Sequence, residues 1–301
     1  MTPVRQRIGR YRLTQRIGAG AFATVWLAVD EGPGNPGKSG DTGNSTEGGE
    51  VAVKVLAENW ALDEGVCDRF LKEARILAGL DDPLVVAVHG TGTLPDGRPW
   101  FAMDHCNAGS LADLTRLRYG LRPALELCAH ACRAIEVLHR HGILHRDVSP
   151  SNLLLHRDPG AELRVRVADL GVARMLSGRA TTMVAGTPAY MAIEQARGWP
   201  LDARADVYSL ACLTHTVLTG RPPFPVRSLD DLLRREPDPI RDLAPVAESI
   251  GAPSELDGLL TAALSPDPEL RPGSAEILAQ WLERFAAGVP GEAMLPPRAD
   301  P

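Results

Sequence analysis

His145-Arg146-Asp147-Val148-Ser149-Pro150-Ser151-Asn152 runs directly into the apolar Leu153-Leu154-Leu155. A carboxylate and an amide five residues apart, flanking a proline turn, can both point into one site. Twenty-two residues beyond Asp147, Asp169-Leu170-Gly171 follows a strand-like stretch at 163–168. An Asp-x-Gly turn after a strand is common and alone signals only a turn. Together with Asn152, Asp169 offers oxygen ligands for Mg2+, a hard cation that prefers carboxylate, amide and phosphate oxygens.

Upstream, Gly18-Ala19-Gly20-Ala21-Phe22-Ala23-Thr24-Val25 lies where one strand turns into the next. Glycines let a backbone approach phosphates and present its N–H groups to them. A glycine-rich hairpin turn accounts for the motif equally well. Its strand-to-strand setting differs from the strand-to-helix setting of dinucleotide-binding folds. In Val51-Ala52-Val53-Lys54-Val55-Leu56, strand alternation puts Ala52, Lys54 and Leu56 on one face and the valines on the other. A lysine there either snorkels to water or meets an anion. A helix expected over 66–80 carries Phe70, Glu73, Ala74 and Leu77 on one stripe. A carboxylate within an apolar stripe is costly unless a cation meets it, and Lys54 is the candidate.

Strands are expected over 11–30 and 51–56, with two more within 84–104 around a Pro95-Asp96-Gly97 turn. Helices are expected over 111–117, 123–141, 203–219, 255–264 and 274–286. Strands first and helices later is an α+β order. The low-complexity loop at 32–50 is too rich in Gly, Pro, Asn, Ser and Thr to bury a core. Residues 288–301 read as a disordered tail. A net charge of −6 and a pI near 5.8 argue against nucleic acid as a partner. No apolar run reaches the ~18 residues of a membrane span, and the basic N-terminal stretch lacks the apolar segment of a secretion signal. The expected location is cytoplasmic. The five cysteines read as reduced thiols, with Cys128 and Cys132 as small core hydrophobes. No CxxC pair or clustered histidines suggest structural zinc.

Residues 18–25, Lys54, Glu73, the 145–152 stretch, Asp169-Leu170-Gly171 and Gly186-Thr187-Pro188-Ala189-Tyr190-Met191-Ala192-Ile193-Glu194 resemble, in order, the signature set of protein kinases. Asp206 before the apolar stretch 207–218, and Arg271 in Asp267-Pro268-Glu269-Leu270-Arg271-Pro272, fit the same family. The resemblance covers residues 10–287 and is to bacterial, eukaryotic-like Ser/Thr kinases, because Thr187 in Gly-Thr-Pro matches the Ser/Thr-specific pattern. It implies a two-lobed fold: a small β-rich N-lobe with one helix over 10–104, and a larger helical C-lobe over 105–287. It also implies transfer of the γ-phosphoryl of ATP, with Mg2+ or Mn2+, to protein hydroxyls.

By that resemblance Asp147 is the catalytic base, Asn152 and Asp169 hold the metal, Lys54 holds the α- and β-phosphates, and Glu73 holds Lys54. Ile17, Gly18, Ala19 and Gly20 cover the nucleotide. Met103 is the gatekeeper, the backbone of Asp104 and Cys106 meets the adenine edge, and Val25, Ala52 and Leu154 pack on its faces. Arg146 is the receiver of an activation-loop phosphate, for which Thr181 and Thr182 are the candidate sites, and Glu194 and Arg271 form a buried pair. The implied partners are protein substrates and a transient homodimer for trans-autophosphorylation.

Three positions depart from the family pattern. Ala23 replaces the third glycine, and Ile193 replaces the proline of Ala-Pro-Glu. Ser149 stands where Ser/Thr kinases usually carry a lysine that contacts the γ-phosphate. The last departure keeps an ATP-binding pseudokinase scaffold open as an alternative. A small-molecule phosphotransferase is a third reading, disfavoured by the full activation segment and by Asp206 with its helix.

Overall fold

Alternation along Val51-Ala52-Val53-Lys54-Val55-Leu56 sets the architecture of the first part of the chain. In the computed structural model these residues form β4 (Glu50–Leu56) of a six-stranded antiparallel sheet. Its other strands are β1 (Arg7–Ile8), β2 (Tyr11–Ala19), β3 (Ala23–Asp30), β5 (Val88–Thr93) and β6 (Pro99–Asp104), in the order β1-β2-β3-β4-β6-β5. Val51, Val53 and Val55 face a cluster with Ile8, Tyr11, Leu13, Ala28, Trp100 and Ala102. Full burial of one such side chain contributes roughly 1.5–3 kcal/mol. The opposite face of β4 carries Ala52, Lys54 and Leu56.

The structure describes residues 6–32, 49–115, 119–170, 188–235, 242–290 and 295. Most of the 32–50 loop, Gly171, Thr181, Thr182, Thr187 and most of 288–301 lie outside the described residues. Leu295 is described; it is buried, and its N–H donates to the Tyr119 carbonyl at 3.1 Å. The chain divides into two units, Met1–Asp81 with Val85–Cys106, and Asp82–Leu84 with Asn107–Pro301.

The helix of the first unit, α1 (Glu64–Ala78), starts two residues before the expected 66. Asp63 sets the start, its carboxylate accepting the Val66 N–H at 2.9 Å. Gly79 follows the last turn. Val66, Phe70, Glu73, Ala74 and Leu77 form the buried stripe. The expected Pro95-Asp96-Gly97 turn closes β5 to β6: Gly97 has φ +89°, and the Asp96 carboxylate accepts the Arg98 N–H at 3.1 Å.

The second unit is mostly helical. It holds α2 (Leu111–Leu114), α3 (Leu121–Arg140), the hairpin β7 (Leu153–His156) with β8 (Arg164–Val167), α4 (Ile193–Ala196) and α5 (Ala203–Thr219). Then follow α6 (Leu229–Arg235), α7 (Ala247–Ile250), α8 (Glu255–Ala263) and α9 (Ala275–Gly288). Residues 205–218 of α5 are all buried, which makes it the axis of this unit, and α3 packs against α5, α9 and β8. A helix apolar on every side is a core helix. Cys128 and Cys132 sit inside this packing as the sequence indicates, Cys212 is buried as well, and burial pushes the Cys128 thiol up to about 12.

Candidate active site

In the first unit, direct cross-strand pairing lines up Gly18, Val25, Lys54 and Phe101 as successive partners across β2, β3, β4 and β6. Directly opposed residues in an antiparallel sheet share a face. Ala52, two residues before Lys54, shares that face and pairs with Met103. The predicted residues Gly18, Val25, Ala52, Lys54 and Met103 are therefore brought onto one face of one sheet, the face opposite the valine cluster. Ile17 is 43% exposed.

Lys54 Nζ meets Glu73 Oε1 of α1 at 2.7 Å, with both residues buried. The ammonium stands 6.0 Å from the Phe70 ring centroid and 5.6 Å from that of Phe101. The period-2 strand and the 3.6-residue helix stripe thus converge on one ion pair in an apolar wall. A charge pair taken out of water holds its place only with close geometry.

The glycines of the 18–25 turn separate two readings. Gly20 N–H donates to the Ala23 carbonyl at 2.9 Å, closing the turn. Neither Gly18 nor Gly20 has a positive φ. A Cβ at Gly18 would meet Val25 at 3.5 Å, and one at Gly20 would meet the Ala23 carbonyl oxygen at 3.7 Å, both ordinary contacts. The turn itself does not require glycine at either place. At the other end of the face, the Asp104 N–H donates to the Ala87 carbonyl at 3.0 Å, so any base recognition by its backbone falls to its carbonyl. Its carboxylate accepts from the Ala87 N–H at 3.0 Å and lies 2.7 Å from His89 Nε2. Cys106 ends this unit and is buried.

In the second unit the 145–152 loop is built around Arg146, whose φ of +64° is the only positive value at a non-glycine residue among those described. Such a conformation costs an ordinary residue roughly 1–2 kcal/mol. Hydrogen bonds on both sides hold it. The buried Asp206 carboxylate, one turn into α5, accepts the N–H of His145 and that of Arg146, each at 2.8 Å. Gln195 of α4 donates to the Arg146 carbonyl at 2.6 Å. Asp206 also sits 2.8 Å from His139 Nε2. Burial pushes the Asp206 carboxyl up, but the His139 hydrogen bond and the charges of His145 and His139 outweigh it and hold it below the usual carboxylate range.

Asp147 follows this clamp. Asn152 donates its amide N–H to the Asp147 carboxylate at 2.6 Å and to the Asp147 carbonyl at 2.7 Å. With the amide nitrogen so engaged, the Asn152 carbonyl oxygen is the atom suited to a cation. The β7–β8 register pairs Leu153 with Val167, so Asn152 and Asp169 both stand at the open end of that hairpin. An amide oxygen and a carboxylate suit Mg2+, which is commonly bound through one or two protein ligands completed by substrate phosphates. Leu154 pairs with Arg166 in β8 and bridges to Ser110. Ser149 is buried, and its carbonyl accepts the Asn152 N–H at 3.1 Å.

Arg271 grips Glu194 with two nitrogens at 2.5 and 3.0 Å, and donates to the carbonyls of Ser265, Arg204 and Pro266. Ile193 takes the first position of α4, where a proline would sit, with extended Ala192 before it. The N–H lost to proline at that position is one a helix leaves unbonded, so isoleucine there keeps the local geometry. Helix α5 runs over the expected 203–219, capped by Asp202, whose carboxylate accepts the Arg204 N–H at 2.8 Å. His139 and Gln195 were not singled out from sequence. His139 sat within an expected helix, with an apolar stripe as its signal; Gln195 carried none.

The protein kinase domain family matches residues 11–282 of the chain. Serine/threonine-protein kinase PknB of Mycobacterium tuberculosis (strain H37Rv) is 36% identical over 298 residues, covering 94% of this chain and 44% of that protein. PknJ of the same strain is 33% identical over 301 residues, covering 97% and 48%. The chain therefore spans less than half the length of these curated relatives. The crystal structure of the M. tuberculosis PknI kinase domain matches with a TM-score of 0.69 at 25% identity, covering 96% of this chain and 100% of that one. Among the described residues no helix is long and apolar enough to cross a membrane. With the family match over most of its length, and with an antiparallel sheet and one α-helix among the described residues of its first unit and a mostly helical second unit, this chain belongs to the protein kinase family.

Proposed function

We propose that the chain is a Ser/Thr protein kinase that transfers the γ-phosphoryl of Mg-ATP to protein hydroxyls. One observation carries the reading: the strained Arg146 backbone is held by Asp206 and Gln195 immediately before Asp147. Strained backbone persists only where its surroundings over-determine it, and such positions cluster at active sites. Residues from two other helices fix where the Asp147 backbone begins.

In this account Asp147, oriented by the Asn152 amide, accepts or directs the proton of the substrate hydroxyl. Lys54 holds the α- and β-phosphates, and Glu73 holds Lys54 against the apolar wall of Phe70 and Phe101. The backbone of residues 18–20 approaches the phosphates, which gives the glycines a purpose that the turn does not. Met103 and the backbone of Asp104 and Cys106 take the adenine edge, with Val25 and Ala52 on the same sheet face. Asn152 and Asp169 hold the metal; Mg2+, when bound, offsets negative charge on the phosphoryl oxygens and aligns them, and Mn2+ suits the same donors. Thr181 and Thr182 are the proposed autophosphorylation sites, Arg146 the receiver of that phosphate, and a transient homodimer the means of transfer in trans. The reaction belongs in the cytoplasm, where ATP is supplied.

Ser149 favours a second reading, an ATP-binding pseudokinase. Losing one donor aimed at transition-state charge costs about 10²–10³ in kcat, which slows an enzyme with base and metal ligands intact without abolishing it. Radiolabelled phosphotransfer from Mg-ATP to casein separates the two. Slow transfer by the wild type, raised in Ser149→Lys with little change in nucleotide affinity, supports the kinase. A wild type that binds Mg-ATP and transfers nothing, while Ser149→Lys transfers, supports the pseudokinase. Full activity in Thr181→Ala/Thr182→Ala removes the case for regulation at those threonines.

A further inference from the structure

Trp60 ends the short 3-10 turn (Glu58–Trp60) between β4 and α1, thirty-nine residues from the glycine-rich turn in sequence, and touches that turn twice. Its indole N–H donates to the Ala21 carbonyl at 2.9 Å. Its ring stacks on Phe22, with centroids 5.1 Å apart and planes within 16°. A third link lies beside these, where the Ala57 N–H donates to the Phe22 carbonyl at 2.8 Å. Ala21 and Phe22 form the tip between β2 and β3, the part of a hairpin that strand pairing leaves unsupported. The same 3-10 turn leads into α1, which carries Glu73: the Asp63 N–H donates to the Trp60 carbonyl at 3.1 Å, and Asp63 caps the helix.

We propose that Trp60 is a positioning residue for nucleotide binding: it fixes the tip of the glycine-rich turn to the connection that starts α1, so the turn's N–H groups are ordered before phosphates arrive. The proposal rests on reading residues 18–25 as the phosphate-covering turn. A loop ordered in advance loses less conformational freedom on binding, and the gain appears as affinity. A glycine-rich tip has the most freedom to lose. Indole suits the task because one side chain supplies both a stacking surface and an N–H donor. Phenylalanine at 60 keeps the first and removes the second.

The test is steady-state phosphotransfer by the full chain with varied Mg-ATP, alongside equilibrium binding of Mg-ATP and a melting curve for each variant. Trp60→Ala is expected to raise the KM and Kd for ATP by roughly five- to tenfold, the low end of the combined weight of one stacked pair and one hydrogen bond. Its kcat should stay within about twofold and its melting temperature near that of wild type. Trp60→Phe should fall between wild type and Trp60→Ala. Phe22→Ala should weaken binding similarly, and Trp60→Ala/Phe22→Ala should weaken it by less than the product of the two single effects. Unchanged ATP affinity in both Trp60 variants overturns the proposal while leaving the turn's role standing. If Trp60→Ala melts below the assay temperature, Trp60→Phe decides, and wild-type affinity there overturns the proposal. A wild type that binds no Mg-ATP overturns the reading of the turn and the proposal with it.

Discussion

The Asp206 carboxylate accepts the backbone N–H of Arg146 at 2.8 Å, at the only non-glycine residue of positive φ among those described. The same carboxylate holds the His145 N–H and lies against His139, so one buried charge serves three partners. Its removal therefore acts on the backbone that precedes Asp147, with no contact to substrate needed.

Asp206→Asn keeps the shape, removes the charge and presents an amide to donors that need an acceptor. The expected loss is about 3 kcal/mol of stability, since each buried donor left unmatched costs ~1–3 kcal/mol. The pH dependence has a definite sign. Because the folded-state carboxyl lies below its ordinary value of ~3.9, its contribution is fully present above that value and is lost as pH falls through the folded value. Urea titrations of wild type and Asp206→Asn should show a large difference at about pH 5 that shrinks progressively as pH falls below about 4. A difference that persists unchanged to pH 2 contradicts the assignment.

Lys54→Met should abolish phosphotransfer, and burial adds a second effect that strand alternation alone did not reveal. The partner Glu73 is fully buried, so removing the lysine should cost on the order of 3 kcal/mol. Lys54→Met/Glu73→Met should regain most of that stability and none of the activity. Thermal melts of the three proteins check this; a double variant no more stable than Lys54→Met contradicts it.

Gly18→Ala and Gly20→Ala separate turn geometry from ligand approach. An added Cβ meets only ordinary contacts at either position, so stability should change by less than about 1 kcal/mol. The KM for ATP should rise several-fold. Wild-type KM in both variants would return the motif to a plain hairpin turn.

Replacing residues 34–48 by a few glycines should leave the melting temperature within a few degrees. The Asp30 N–H donates to the Gly49 carbonyl at 3.1 Å and Val29 pairs with Glu50, so the two ends already stand side by side. Loop-closure entropy changes by only about 0.6 kcal/mol per doubling of length. A large fall would mean that the stretch packs against the first unit.

Features legible in the sequence were those set by local periodicity. A period-2 strand carrying Lys54 and a helix stripe carrying Glu73 each exposed one misplaced charge, and the structure joins them. The start of α1 at Asp63 was missed because a cap is a single hydrogen bond, weaker as a signal than an apolar stripe. Left-handed Arg146 was invisible, since neither Gly nor Asn marks it and its holders, Asp206 and Gln195, come from distant helices. Trp60 was hidden for the same reason: its stacking on Phe22 depends on the pairing of Ala23 with Leu56 across β3 and β4, which brings two distant stretches of sequence together.

Mass spectrometry of the purified wild type and Asp147→Asn after incubation with Mg-ATP tests the central claim most directly. The account predicts phosphate on wild-type hydroxyls, at Thr181 or Thr182 among them, and none on Asp147→Asn, with both proteins melting alike. Equal phosphorylation of the two, or none on a wild type that binds Mg-ATP, would contradict it.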